Sequence, residues 1–243
     1  TKKGIEAQEQ GISVTDAMVY YSPCQPVRND DGSWSESTGT TQYYNPLAMI
    51  NEDTNQNIYR RMQLTGKGEL TILPDLTWTA QYSYLYNQNV LSEYHSIKSQ
   101  IVKTHGQARR STYMDNKQVF ETFGNFTHSF PGYHRLGVML GYSWEQNNEN
   151  DGFGLTVKDF YNDAVKYYNL TYANQIDGID AVESGAESTL RMISFYGRVN
   201  YSFASRYNFQ ATLRRDGSSA FGKNHRWATF PSFSAAWRIG EEE

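Results

Sequence analysis

The 243-residue chain has a formal net charge of −4 and is 38% hydrophobic and 15% aromatic. It lacks the basic balance and clustered Lys and Arg of a nucleic-acid footprint, so no nucleic-acid partner is expected, and no run approaches the ~20 apolar residues of a spanning helix. A single cysteine, Cys24, excludes an internal disulfide, and a large share of the apolar content is Tyr, Phe and Trp, rings that fit a pleated surface. The mean hydropathy of −0.70 does not argue against a membrane role, because a barrel strand shows lipid only at every second residue.

The first ten residues, TKKGIEAQEQ, are polar throughout, so no signal peptide is read there. Residues 1–57 read as a loop region. Cys24 sits in a turn-rich Ser-Pro-Cys-Gln-Pro context and reads as inert. NDDGSWSE, Asn29 to Glu36, gathers carboxylates but lacks the ligand series of a calcium loop, so Asp-Gly reads as a turn. Trp34 reads as a loop anchor, with stacking on a sugar ring as the alternative.

Seven segments then alternate at period two. Strands are expected near 58–72, 76–88, 117–130, 135–146, 188–203, 207–216 and 226–239. In the first, Met62, Leu64, Leu70 and Ile72 oppose Arg61, Gln63, Lys67 and Glu69. In the fifth, Ile193, Phe195, Val199, Tyr201 and Phe203 oppose Ser194, Arg198, Asn200 and Ser202. One parity is apolar and the other wet; only 117–130 is untidy. Short connections at Leu73–Asp75, Pro131–Arg135 and Ala204–Arg206 alternate with long polar loops over 89–116 and 147–187. Short turns at one end and long loops at the other are the layout of an outer-membrane barrel. A soluble sandwich also alternates, but glycines on the apolar parity (Gly66, Gly68, Gly124, Gly197) and segments longer than ~5–6 residues lean toward the barrel.

Arg214 and Asp216 open the connection RRDGSS. Asp216-Gly217 is a strong hairpin signal, so a structural role is favoured there over a ligand contact, and Arg215 at a strand end can snorkel. The five histidines lack metal spacing, and no nucleophile elbow, phosphate loop or dinucleotide fingerprint is present. Neither an enzyme activity nor a metal or cofactor is expected.

The stretch FYGRVNYSFASRYNFQATLRRDGSSAFGKNHRWATFPSFSAAWRIGEE, Phe195 to Glu242, closely resembles the barrel of SusC/RagA-like TonB-dependent outer-membrane transporters. PVRNDDGSW, Pro26 to Trp34, and NPLAMI, Asn45 to Ile50, resemble that family's loop before its mid-barrel strands. The resemblance implies about seven strands of a roughly 22-stranded, plugged transmembrane β-barrel, all-β and antiparallel up-and-down. On this reading the chain is an excised middle, starting in an extracellular loop and stopping at a periplasmic turn after Ile239. It further implies a cell outer membrane location in a Gram-negative, Bacteroidota-like bacterium, contact with outer-membrane lipid, and import of oligosaccharides or peptides. A SusD-like surface lipoprotein would cap the barrel, and TonB would act through a plug outside this chain. Arg61, Lys67, Glu69, Gln81, Arg198, Asn200, Gln210 and Arg214 would line the lumen, and Trp34, Arg61, Arg198, Asn200, Arg214 and Asp216 are the candidate ligand contacts. The rivals are a soluble β-rich carbohydrate-binding or adhesin module and a passive porin without a plug.

Overall fold

The structure, a computed structural model, describes residues 2–4, 13–36, 44–174 and 176–242. Among these are nine strands: β1 Lys2–Gly4, β2 Asp53–Leu73, β3 Leu76–His95, β4 Gln107–Phe130, β5 His134–Lys158, β6 Ile179–Ser184, β7 Ser188–Phe203, β8 Tyr207–Ser218 and β9 Trp227–Trp237. Two helices, α1 Val14–Tyr20 and α2 Pro46–Glu52, precede most of them. One sheet orders the strands β1-β2-β3-β4-β5-β7-β8-β9, with β6 paired to β5 beside that path. The expected all-β antiparallel meander is therefore present.

Its strand ends differ from expectation. β3 runs to His95 and β4 begins at Gln107, so the expected loop 89–116 shrinks to 96–106. β5 runs to Lys158, and β6 occupies part of the expected loop 147–187. Residues 1–57 hold β1, both helices and the start of β2 rather than loop alone; most of the polar opening read at Thr1–Gln10 lies outside the described residues. The extensions escaped a hydropathy reading because their outward positions are largely polar or are covered by the chain's own loop. Tyr94 and Ala108, for example, are fully buried against Phe160, Tyr167 and Ala173.

The chain divides into two compact units, residues 1–60, 87–114 and 150–186, and residues 61–86, 115–149 and 187–243. The first has small cores of its own. Ser13 caps α1 reciprocally: its hydroxyl accepts from the Asp16 N–H and the Asp16 carboxylate accepts from the Ser13 N–H, both at 3.1 Å. Asn45 caps α2, with Pro46 in its first turn. The helices bury Ala17 and Met49 against Ile101. A second cluster centres on an edge-to-face pair, Tyr94 and Phe160, with ring centroids 5.3 Å apart. In β5, Asn150 takes a left-handed φ of 61°, and a bulge lies between Thr156 and Val157 where β6 pairs. Such irregularities re-aim side chains and disrupt simple alternation.

The second unit is held by register. From β5 to β7, Leu136, Val138, Leu140, Tyr142 and Trp144 face Tyr201, Val199, Gly197, Phe195 and Ile193. From β7 to β8, Tyr201, Val199 and Gly197 face Phe209, Ala211 and Leu213, and these face Ala235, Phe233 and Pro231 of β9. The wet parity pairs in the same way: Asn200 faces Gln210, and Gln210 faces Ser234. At the short-turn end one row crosses four strands as His134, Phe203, Tyr207 and Trp237, with successive ring centroids 4.8, 6.2 and 6.4 Å apart. The apolar side chains on this face are open: Leu140 is 67% and Phe233 81% exposed.

Two glycines allow close approaches. The Tyr196 ring lies where a Cβ on Gly141 would sit, and Trp227 covers Gly217, whose Cβ would come within 2.9 Å of the indole. The latter corrects the hairpin expected at Asp216-Gly217. Both residues continue β8, paired with Ser194 and Ile193, because the glycine makes room for a ring rather than for a bend. The β7–β8 turn, by contrast, places Ala204 and Ser205 at φ 50° and 57°, and the Arg206 N–H donates to the Phe203 carbonyl at 3.0 Å. Left-handed positions in a tight turn favour Gly or Asn, so this three-residue connection is strained.

The face assignment makes two predictions for the full-length protein refolded into lipid vesicles and unfolded with denaturant. Val199→Arg or Leu140→Arg costs ~2–4 kcal/mol, whereas Asn200→Arg on the opposite parity costs under about 0.5 kcal/mol. Ser205→Gly stabilises by about 1 kcal/mol or less, relief of left-handed strain being partly offset by chain entropy.

Candidate functional site

On the wet face of the second unit, β7 and β8 assemble a polar cluster. The Arg214 guanidinium donates through Nε to both Asp216 oxygens at 2.8 and 3.0 Å and through Nη2 to the Ser194 hydroxyl at 3.1 Å. Ser194 is 1% exposed. Tyr196 lies beneath the guanidinium, 5.9 Å from ring centre to carbon, and its hydroxyl donates to Glu121 at 2.7 Å. Lys117 pairs with Glu145 at 2.6 Å on neighbouring strands. Opposite charges on a solvated wall hold one another in place while leaving hydrogen-bonding capacity exposed.

Nearer the turns, the same face carries a cleft of about 410 Å³. Arg135, Asn200, Ser202, Asn208, Gln210 and Ser234 line it. Of the sequence candidates, Arg214 and Asp216 are thus brought into direct contact and Asn200 lines the cleft. Arg198, two residues from Asn200, is exposed on the same parity. Arg61 is exposed on β2, separated from β7 by three strands, and joins neither the cluster nor the cleft.

Trp34 belongs to the first unit and is not an open stacking platform. It is 8% exposed, Arg28 lies 3.7 Å over its ring, and its indole N–H donates to Glu52 at 2.8 Å. The Asn29–Ser33 turn closes through Gly32, which takes φ 81° and donates its N–H to the Asn29 carbonyl at 2.9 Å. The hairpin therefore anchors the ring against the end of α2, with the Arg28 guanidinium lying over it.

The same unit contains a polar ladder that sequence reasoning missed. His95 meets Asp53 at 2.8 Å, and the Ser99 hydroxyl donates to the same carboxylate oxygen at 2.7 Å. Asn55 donates to Glu93 at 2.9 Å, and Arg109 pairs with Glu93 at 3.5 Å and with Glu183 at 2.8 Å. Tyr113 donates to Glu183 at 3.1 Å, and Gln107 to Asp180 at 3.0 Å. The positions on β2, β3 and β4 are all odd-numbered, the stagger of a single strand face. A period-two scan for charge rather than hydropathy would have found them. Buried Asp53 Oδ2, Gln107 Oε1 and Ser111 Oγ have no hydrogen-bond partner among the described residues, which leaves acceptor capacity for water or a polar ligand.

Arg109 and Glu183 fasten β6 to β4. The Arg109 hydrogen bond, aided by the Tyr113 hydroxyl, holds the Glu183 carboxyl below the usual carboxylate range against the opposing effect of burial. Because the folded-state value is depressed, this contribution to stability is complete above the ordinary value of about 4.3 and is lost as pH falls through the lower folded-state value. Amide-exchange protection of β6, corrected for intrinsic rates, should fall with acidification through that window in the full-length protein. Glu183→Gln should lower protection at neutral pH and flatten its pH dependence.

Comparison with known proteins gives a consistent picture. The family model described as TonB dependent receptor-like, beta-barrel matches residues 15–242. TonB-dependent receptors P3 and P39 of Formosa agariphila are 26% and 28% identical over 250 and 251 residues, which is 100% and 98% of this chain but 24% and 23% of those proteins. TonB-dependent receptor SusC of Bacteroides thetaiotaomicron is 53% identical over 51 residues, 21% of this chain and 5% of SusC. The solved RagAB peptide transporter shares the fold with a TM-score of 0.77 at 20% identity, over 86% of this chain and 23% of that one. The chain spans about a quarter of the length of the first three receptors it matches.

Proposed function

Because this chain belongs to the TonB-dependent receptor-like β-barrel family, we propose that it is part of the wall of an outer-membrane importer, with its apolar parity toward lipid and its wet parity toward the lumen. The observation that carries the reading is the unbroken pairing of like parities across β5, β7, β8 and β9. A soluble sandwich would cover its apolar face with a second sheet, whereas here Leu140, Val199, Phe209 and Phe233 are open. Lipid supplies what covers them.

The dimensions support this reading. On β5 the apolar parity runs from Leu136 to Trp144, about 26 Å of strand at ~3.3 Å per residue. A tilt of ~40° reduces that to roughly 20 Å, close to the ~25 Å apolar band of such barrels. Beyond Trp144 the same parity turns polar, with Gln146 opposite Arg191 and Asn148 opposite Thr189. The ring row at the short-turn end forms the periplasmic girdle. No helix among the described residues is long and apolar enough to cross a membrane; crossing is by strands.

In this proposal the Arg214–Asp216–Ser194 cluster, the Asn200 and Gln210 cleft and Arg198 present donors and acceptors to a passing polar solute. Oligosaccharides and peptides both suit such a wall. The long connections carry selectivity and meet a SusD-like surface lipoprotein, and energy arrives from TonB through a plug supplied by the rest of the protein. The complete barrel would have about 22 strands, the plugged size class.

The test is uptake by cells producing the full-length protein, with labelled oligosaccharide and oligopeptide pools as probes. Import of one pool should disappear when TonB is deleted and fall about tenfold in Arg198→Ala/Arg214→Ala at unchanged barrel abundance, a loss of ~1.4 kcal/mol. Import that persists without TonB would contradict the proposal and favour a passive pore.

A further inference from the structure

The apolar face of the second unit carries only two arginine or lysine side chains among its described strand positions, Arg191 on β7 and Arg215 on β8. Both lie at the end away from the short turns and both are exposed. Arg215 stands opposite Phe195 and Thr229, and Gly217 stands opposite Ile193 and Trp227. Arg191 is linked to Ser219, its N–H donating to the hydroxyl at 2.8 Å and its carbonyl accepting from the Ser219 N–H at 2.9 Å. The two arginines are therefore on neighbouring strands, offset by four residues or about 13 Å of strand, and Trp227 lies across Gly217 between their levels.

Neither arginine forms an ion pair among the described residues. The carboxylates of β5 and β8 at this end belong to the other face, where Asp216 is held by Arg214 and Glu145 by Lys117. Arg215 instead rests over the Trp227 ring, 5.3 Å from its centre. Trp227 stacks on Phe195 at 6.3 Å, and Phe195 meets Tyr142 at 5.3 Å. Arg191 uses one guanidinium hydrogen bond, from Nε to Gln146 at 3.0 Å. Lys223 is exposed in the adjoining loop. Cations above an aromatic ledge, at the level where an apolar face turns polar, complement an anion borne on an amphiphile.

We propose that Arg191 and Arg215 bind the phosphates of a phosphorylated lipid headgroup in the outer leaflet, while Trp227 and Phe195 pack against the apolar part of the same molecule. The proposal rests on the membrane orientation argued above. Guanidinium forks suit phosphate oxygens through paired charge-assisted hydrogen bonds, and the cation–π contact orients Arg215 before the lipid arrives. The offset between the arginines favours a headgroup carrying two phosphates over one carrying a single phosphate.

The test uses the full-length protein purified in detergent, with diphosphoryl lipid A as the probe and binding read by native mass spectrometry. Wild type should bind it, and Arg191→Ala/Arg215→Ala should bind about tenfold or more weakly. The lumen-side control Arg198→Ala should bind normally, and Arg191→Lys/Arg215→Lys should recover part of the loss. Monophosphoryl lipid A should bind wild type more weakly than the diphosphoryl form. Equal binding by wild type and the double alanine variant overturns the proposal, and so does displacement of the lipid by excess inorganic phosphate, which would reveal a site for free anions. Intact import with equal lipid binding removes the lipid site and leaves the importer reading standing. A full-length protein that does not insert into bilayers removes both.

Discussion

Everything in the second unit depends on strand register. Side chains alternate at period two, so a slip of one residue along any of β5, β7, β8 or β9 would move its whole apolar set to the wet face. The pairing of Val138 with Val199, Val199 with Ala211 and Ala211 with Phe233 shows that no slip occurs across three interfaces. Backbone hydrogen bonds fix the strands, while the medium on each side rewards only one of the two registers. The result is a sheet without a conventional core, in which Phe233 and Leu140 remain open and Ser194 is buried.

That inversion of the usual burial pattern explains several local choices. Tyr196 reaches Glu121 across the wet face, and Gly141 leaves its ring the necessary space. Trp227 covers Gly217 on the apolar face and brings its indole beneath Arg215. Glycine in these strands is thus a seat for a neighbouring ring more than a weak point in the ladder. The first unit follows ordinary rules instead, with capped helices, two small apolar clusters and a ladder of ion pairs that pins β6.

Strands β7 to β9 were legible because clean alternation lay between short or well-marked connections, and the resemblance of Phe195–Glu242 to a known barrel family pointed the same way. The ends of β3, β4 and β5 were not. Over 87–95 and 107–116 the outward positions are mixed, some covered by the chain's own loop, and the opposite positions carry Glu93, His95, Gln107 and Arg109. Hydropathy cannot register a strand whose faces are both partly polar. The partners that anchor Trp34 and the continuation of β8 through Asp216-Gly217 were hidden for a related reason. A Trp in a polar loop gives no sign that Arg28 and Glu52 will enclose it, and an Asp-Gly pair gives no sign that a distant ring will occupy the glycine. Arg214 and Asp216, two apart on one strand, were readable as a pair, but the buried Ser194 that joins them depends on cross-strand register.

In the proposed orientation one parity of β7 and β8 meets lipid and the other meets water. The most direct measurement is a nitroxide scan of residues 192–203 and 207–215 in the full-length protein in bilayers, after replacing the exposed Cys24, with accessibility to oxygen and to a water-soluble nickel chelate recorded at each site. Accessibility should show a period of two in opposite phase for the two reagents, with oxygen maxima at Phe195, Val199, Phe209 and Leu213 and nickel maxima at Arg198, Asn200 and Gln210. Equal access of both reagents at the two parities, or oxygen maxima at Arg198 and Asn200, would contradict the proposed orientation.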